Sequence, residues 1–226
     1  MLVLATNHDG DIVLDFFAGS GTTAQAVLQQ NSEDGVQRKF ILVQLPENTG
    51  RTDYRTISDI AKERVRRVVK KLNDSDENQL ALEPNKRQDR GFKVFKLQSS
   101  NFRAWNAEQP KDDAEFAKQL SMHVEHLVAG RAQEDVLYEL LLKSGFPLDT
   151  RIEKVALAEM VVFSVADGAM LICLEKKLTP EVIKAMAEKK PERVICLDAG
   201  FADNDQLKTN AVQTMKSKGV TKFQTV

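Results

Sequence analysis

Residues 12–23 read Ile12-Val13-Leu14-Asp15-Phe16-Phe17-Ala18-Gly19-Ser20-Gly21-Thr22-Thr23, and they decide the fold. Three apolar residues ending in Asp15 form a short strand. Gly19 and Gly21 permit a tight turn and a close approach of the backbone to a neighbour. The stretch Thr22–Asn31, TTAQAVLQQN, is compatible with a helix, and a second apolar run, Phe40–Leu45, follows a polar connection containing Gly35. Strand, glycine turn, helix, strand is the β-α-β unit of a parallel sheet with a right-handed crossover. The free amides at the start of that helix favour an anionic group, a carboxylate or a phosphate.

Beyond this unit, Thr56 or Ser58 can cap a helix running to about Leu72, with Ala61, Val65, Val68 and Leu72 along one face. Residues 73–90 are polar and charged without a period and read as a loop, with a linker at 76–90 dividing a first domain, 1–75, from a second, 91–226. In the second, Gly91–Leu97 alternates like a strand. Residues 113–129 and 133–144 read as amphipathic helices, the first with a stripe of Phe116, Leu120, Val124 and Leu127. Strands are expected at 152–156, 160–165 and 169–174, the last two joined by a hairpin at Ala166-Asp167-Gly168. A helix from Pro180 to about Lys189, a strand at 193–197, a helix near 205–218 and a last strand at 222–226 complete a small α/β domain. Asp203-Asn204-Asp205-Gln206 reads as a helix start, with Gln206 as the far end of a capping box.

Composition narrows the function classes. Hydrophobic residues make up 42% and charged residues 29% of 226, a globular profile. The apolar runs fall far short of the roughly 20 residues a bilayer span needs, and the N-terminal segment lacks the features of a secretory signal, so a cytoplasmic protein is expected. Cys173 and Cys196 sit in strand-like runs and read as small buried hydrophobes. His8, His123 and His126 are scattered, which argues against a metal site. With 32 Lys and Arg against 33 Asp and Glu the net charge is −1, so contact with nucleic acid has to be local or shared with another chain. Lys62, Arg64, Arg66, Arg67, Lys70 and Lys71 place six cations on one helix, read first as a solvated face, with DNA phosphate or a partner's acidic surface as the alternative. Trp105 suits a core anchor and an interface aromatic equally well.

Several chemistries fit a glycine turn of this kind. A P-loop requires a Lys before Thr22 or Thr23 and has none. A dinucleotide fingerprint is matched by Gly19, Gly21 and Ala24, but the acid it expects at the end of the second strand is replaced by Gln44. A turn with no ligand is the remaining structural alternative. The third chemistry comes from resemblance. Asp15 to Thr23 resembles D-x-F-x-G-S-G-T-T, the cofactor motif of the amino-methyltransferases that modify DNA, at every position. Around it, LATNHDGDIVLDFFAGSGTTAQAV, RKFILVQLPE, ISDIAKERVRRV, GFKVFKLQSSNFRAW and DNDQLKTNAV each resemble, in order, segments of the modification subunit of type III restriction-modification systems.

That resemblance implies a partial Rossmann-like methyltransferase sheet, followed by a helical segment and a small α/β domain. It implies S-adenosyl-L-methionine as cofactor, bound by Asp15, Phe16, Phe17, Ala18, Gly19, Ser20, Gly21, Thr22, Thr23 and Gln44. Asp15 would accept from the methionyl ammonium, the amides of 19–22 and a Thr hydroxyl would hold the carboxylate, and Phe17 would pack beside the cofactor. Gln44 would take the place of the acid that meets the ribose. The activity implied is methylation of the exocyclic amine of adenine in DNA. The family's catalytic [D/N/S]-P-P-[Y/F] motif precedes the cofactor motif, and no Pro-Pro pair occurs in this sequence. Hence no catalytic residue is assigned, a missing N-terminal catalytic half is expected, and so is inactivity of the chain alone. Leu2–Thr6 reads as the end of a helix begun upstream, and the first strand is expected to leave an edge exposed, so that residues 1–75 are marginal in isolation or depend on dimerisation or a partner fragment. The expected partners are DNA, a second modification subunit and the restriction subunit, with residues 91–226 as the assembly region. A noncatalytic assembly fragment of the same subunit is the competing expectation.

Overall fold

The computed structural model describes residues 8–78, 88–103, 127–201 and 204–226. It is a mixed α/β protein with two sheets, divided into two compact units that meet in sequence at Val94 and Phe95.

In the first unit, β1 (Ile12–Asp15) and β2 (Lys39–Leu42) pair in parallel, with Ile12 opposite Lys39 and Asp15 opposite Leu42. Parallel neighbours need a crossover, and α1 (Thr22–Asp34) supplies it. Gly35, in the left-handed region, ends that helix by donating its amide to the Asn31 carbonyl at 2.9 Å. The second strand is shorter than the apolar run suggests. Val43 still donates to the Asp15 carbonyl, but its own carbonyl accepts from Ala18 in the glycine loop, so the chain leaves the ladder there.

The second helix, α2 (Ile57–Asn78), opens with Thr56 and Asp59 capping each other reciprocally: Thr56 Oγ1 accepts from the Asp59 amide while Asp59 Oδ2 accepts from Thr56. Ala24, Leu28 and Val65 form the centre of this unit's core, with Phe40, Leu42, Val68 and Leu72 packed against it. The stripe read from the sequence therefore faces inward. The opposite face of the sheet is apolar and open, since Ile12, Leu14, Ile41 and Val43 are each at least half exposed.

Two readings of this region need correction. Residues 73–78, read as loop, continue α2. Their charges are used rather than merely solvated: the buried Arg90 guanidinium donates to Asn73 at 2.9 Å and to Asp76 at 2.6 Å. Gly91–Leu97, read as a strand, is irregular backbone. Its apolar residues serve separate purposes: Phe92 packs on the first unit's core, Phe95 stacks edge-on to Tyr138 in the second unit, and Leu97 is fully exposed.

The second unit is a five-stranded sheet in sequence order: β3 (Ile152–Leu157), β4 (Met160–Val165), β5 (Met170–Cys173), β6 (Arg193–Cys196) and β7 (Lys222–Thr225). The first three are antiparallel and the last three parallel. Helix α3 (Gln133–Lys143) contributes its Leu137 and Leu141 to the cluster holding Met170 and Ile172. Helices α4 (Pro180–Glu188) and α5 (Asp205–Ser217) pack with Leu171 and Cys173 in the other cluster. All four residues of β5 are buried, and alternate side chains feed opposite layers, as a strand covered on both faces must.

Thr179 caps α4, and Asn204 caps α5 by accepting from the Leu207 amide at 2.9 Å. Because Leu207 holds the third helical position, Gln206 closes no capping box there. The helix expected at 113–129 does not reach its end: Leu127 is bridged to Phe102, and Val128 donates to the Asn101 carbonyl. Phe116, Leu120, Val124, Trp105, His123, His126 and Leu2–Thr6 lie outside the described residues. Among the described residues, no helix is long and apolar enough to cross a membrane.

Candidate functional site

The loop between β1 and α1 is built around Asp15. Its carboxylate accepts from the Phe17 amide at 3.1 Å and from the Thr23 hydroxyl at 2.5 Å, so the end of the strand is tied to the first turn of the helix. Gly21 donates to the Ala18 carbonyl at 2.8 Å and closes the turn. Gly19 and Gly21 both have positive φ, +51° and +79°. They differ in surroundings. A Cβ on Gly19 would meet only the Phe17 carbonyl oxygen, at 3.9 Å, whereas one on Gly21 would lie 3.3 Å from the Cα and Cβ of Ala61. Gly19 is thus needed for backbone conformation, and Gly21 also for the approach of α2.

Helix α1 starts without a side-chain cap and without an acid in its first turn. The amides of Thr22 and Thr23 have no acceptor among the described residues. The positive helix end thus keeps unpaired amides, with the Asp15 carboxylate beside it. Beside it, Phe16 and Phe17 are exposed, Phe17 to 83%, with ring centroids 5.0 Å apart. Thr22 is exposed, while Thr23 is committed to Asp15.

Gln44, from the segment after β2, reaches across to this loop. Its Oε1 accepts from the Gly19 amide at 2.7 Å, and its Nε2 donates to the Leu45 carbonyl at 3.2 Å. Asp15, Gly19, Thr23 and Gln44 are therefore brought together, and Ala18 and Gly21 lie buried beneath them. Ser20 points elsewhere: its hydroxyl accepts from Arg64 Nη2 at 3.3 Å. Arg64 was grouped in sequence with a solvated cationic face, but it is half-buried and also donates to Gln25 at 3.0 Å. Periodicity alone held the clue, because Arg64 lies on the border of the Ala61–Val65–Val68 stripe.

A loop at residues 48–56 stands next to this region. Asn48 is bridged to Thr56, Thr49 donates to the Arg55 carbonyl, and Arg51 pairs with Asp53 through two bonds of 2.8 and 2.6 Å. Among the described residues, no cluster of His, Cys, Asp and Glu could hold a metal ion.

A family model described as DNA methylase matches residues 1–71, which contain the whole loop. The EcoP15I Mod subunit of Escherichia coli, a type III restriction-modification enzyme, is 33% identical over 217 residues, covering 89% of this chain and 30% of that protein. The chain belongs to the type III modification-subunit family.

Other members agree. The StyLTI Mod subunit of Salmonella typhimurium is 43% identical over 103 residues, 43% of this chain and 15% of that protein. The EcoPI Mod subunit of Escherichia phage P1 is 29% identical over 224 residues, 93% of this chain and 32% of that protein. The chain thus spans about a third of the length of the two relatives that it matches almost throughout.

Proposed function

We propose that the first unit is the S-adenosyl-L-methionine-binding part of a Rossmann-like DNA adenine methyltransferase. The observation that carries this reading is the uncapped start of α1 beside the Asp15 carboxylate, within the segment matched by the DNA methylase model. The residues fit the group. A carboxylate accepts from the unpaired amides of Thr22 and Thr23 and from the exposed Thr22 hydroxyl. An ammonium donates to Asp15, whose oxygens retain accepting capacity beyond the Phe17 and Thr23 bonds. The exposed ring of Phe17 offers an apolar wall. Gln44 is given the ribose hydroxyls, and to meet them its side chain has to give up at least part of its hold on Gly19 and Leu45.

When bound, the cofactor supplies a sulfonium methyl group. The contribution of this chain is to hold the cofactor, with Asp15 and the helix amides fixing its amino-acid end. The acceptor is the exocyclic amine of adenine in DNA, taken out of the stack. No Pro-Pro pair occurs in the 226 residues, so the chain by itself binds cofactor and transfers no methyl group. The second unit serves assembly with a second modification subunit and the restriction subunit, in the cytoplasm.

One observation favours the competing reading, in which the chain is only an assembly element. Asp15 and Gln44 already have partners within the loop, as they would in a turn kept for packing. Equilibrium dialysis with labelled S-adenosyl-L-methionine, with unlabelled NAD and ATP as competitors, separates the alternatives. We expect saturable retention that Asp15→Ala abolishes and neither competitor reduces. Displacement by NAD points to the dinucleotide reading, and no retention by folded chain points to the assembly element.

A further inference from the structure

The helix α2 carries a feature that cofactor binding does not use. Between α1, α2 and the loop 48–56 lies a cavity of about 340 Å³, open to solvent, with Ile60 and Val68 in its lining and Arg64, Arg67 and Tyr54 at its polar side. Two cations on this helix pair with acids one turn away, Lys62 with Asp59 and Arg67 with Glu63, each at 2.7 Å. Arg64 does not. Its guanidinium is held by two neutral acceptors, Gln25 and Ser20, and its buried Nε has no partner. Among the described residues its charge is therefore fixed in place without a counter-ion, an arrangement that favours binding an anion.

Arg67 stands one turn along the same face. Its Nε donates to Glu63 at 2.7 Å and its Nη2 to the Tyr54 hydroxyl at 3.2 Å, which leaves Nη1 without an acceptor among the described residues. Lys71 continues the line at i, i+3, i+7, so the three cations span about 10 Å of helix. Tyr54 is itself presented by a braced loop, because Thr49, Arg51 and Asp53 bond within it. The cavity lining holds two cations, Arg64 and Arg67, and one acid, Glu63, with Lys71 beyond it on the helix.

We propose that this cavity is a phosphate seat, with Arg64 and Arg67 as its two forks, and that its phosphate comes from the backbone of nucleic acid. The assignment to nucleic acid rests on the reading of the first unit as part of a DNA methyltransferase. Planar guanidinium groups suit phosphate oxygens, and a backbone that continues past the seat passes Lys71. The chain as a whole has a net charge of −1, so salt-sensitive binding to a polyanion has to come from a local patch of this kind.

The test is fluorescence anisotropy of a short labelled duplex titrated with the full chain at several salt concentrations. Arg64→Gln, Arg67→Gln and Lys71→Gln are compared with wild type, and circular dichroism checks each fold. We expect each variant to weaken binding by about 5- to 10-fold and to lower the slope of log affinity against log salt by about one. Arg64→Lys, which keeps the charge but loses the fork, should fall between. Inorganic phosphate, added as competitor and followed by thermal shift, separates the sources: stabilisation by phosphate without duplex binding overturns the nucleic-acid assignment. Unchanged affinity and slope in all three variants, or no binding of either ligand, overturns the seat itself. Cofactor retention is read in parallel. Its absence in wild type with duplex binding intact tells against the methyltransferase reading and not against the seat.

Discussion

Replacing Gly21 by Ala probes the loop and the packing of its helices at once. Gly21 sits at φ +79°, ψ 29°, where a side chain costs about 1–2 kcal/mol. The new Cβ would also lie 3.3 Å from the Cα and Cβ of Ala61 and 3.4 Å from its carbonyl oxygen. Those atoms are mostly backbone and cannot rotate away, so overpacking adds about 1–3 kcal/mol. The stiffer unfolded chain returns about 0.4–1 kcal/mol. The net loss is about 2–3 kcal/mol, roughly 30- to 150-fold in the opening equilibrium. Gly19→Ala is the internal control, since its Cβ meets nothing closer than 3.9 Å, and only the backbone cost of about 1 kcal/mol remains. Native-state hydrogen exchange, read on the amides of α1 and of α2 around Ala61, measures both without interference from the second unit. Equal protection losses in the two variants would refute the close approach of α1 and α2 at Gly21.

Four further outcomes follow from particular contacts. In the second unit, burial raises the Glu139 carboxyl, but bonds from Lys143, Ser100 and the Asn101 amide outweigh it and hold it at about 2. A carboxyl depressed on folding stabilises above its ordinary range and stops doing so as pH falls from about 4.5 to about 2; Glu139→Gln should flatten that part of the unit's stability profile in urea titrations. Asn204→Ala removes the cap of α5 and should cost about 1 kcal/mol, measured by urea unfolding, with an unchanged midpoint counting against the cap. Cys173 and Cys196 are buried in register on neighbouring strands, and burial pushes both thiols up, so iodoacetamide at pH 8 should label neither before unfolding; rapid labelling of native chain contradicts this. The amides of β1 should exchange well before those of β5, because one face of the two-stranded sheet is open while β5 is covered on both; equal protection would remove the argument that the first unit is marginal alone.

The loop was legible because its chemistry is local. Two glycines needing positive φ, an acid at the strand end and a helix without a cap are all written within twelve residues, and the β-α-β order follows from them. The hairpin at Ala166-Asp167-Gly168 was equally plain. The tighter one between β3 and β4 was not, since it turns on Ala158 and Glu159, both at positive φ, where a sequence offers Asn-Gly as its usual signal. There the full six-pair ladder imposes the turn.

Extension of α2 through Asn78 was hidden for a related reason. Its last turns carry no apolar period and are fastened by Arg90, a contact between residues far apart in sequence. Gly91–Leu97 misled in the opposite direction: alternation needs a neighbouring strand to become a ladder, and its phenylalanines pack one by one instead. At the site, the position of Gln44 was visible, but its bond to the Gly19 amide was not, because an amide side chain after a strand does not declare its partner. The inward turn of Arg64 was likewise set by Gln25 and Ser20 on other elements.

Isothermal titration of the folded chain with S-adenosyl-L-methionine tests the central claim most directly, with Asp15→Ala and Thr22→Val as companions. Saturable heat at one site per chain, lost in Asp15→Ala and weakened in Thr22→Val, is the predicted result. No heat from a chain shown to be folded, or equal heat from wild type and Asp15→Ala, would contradict it.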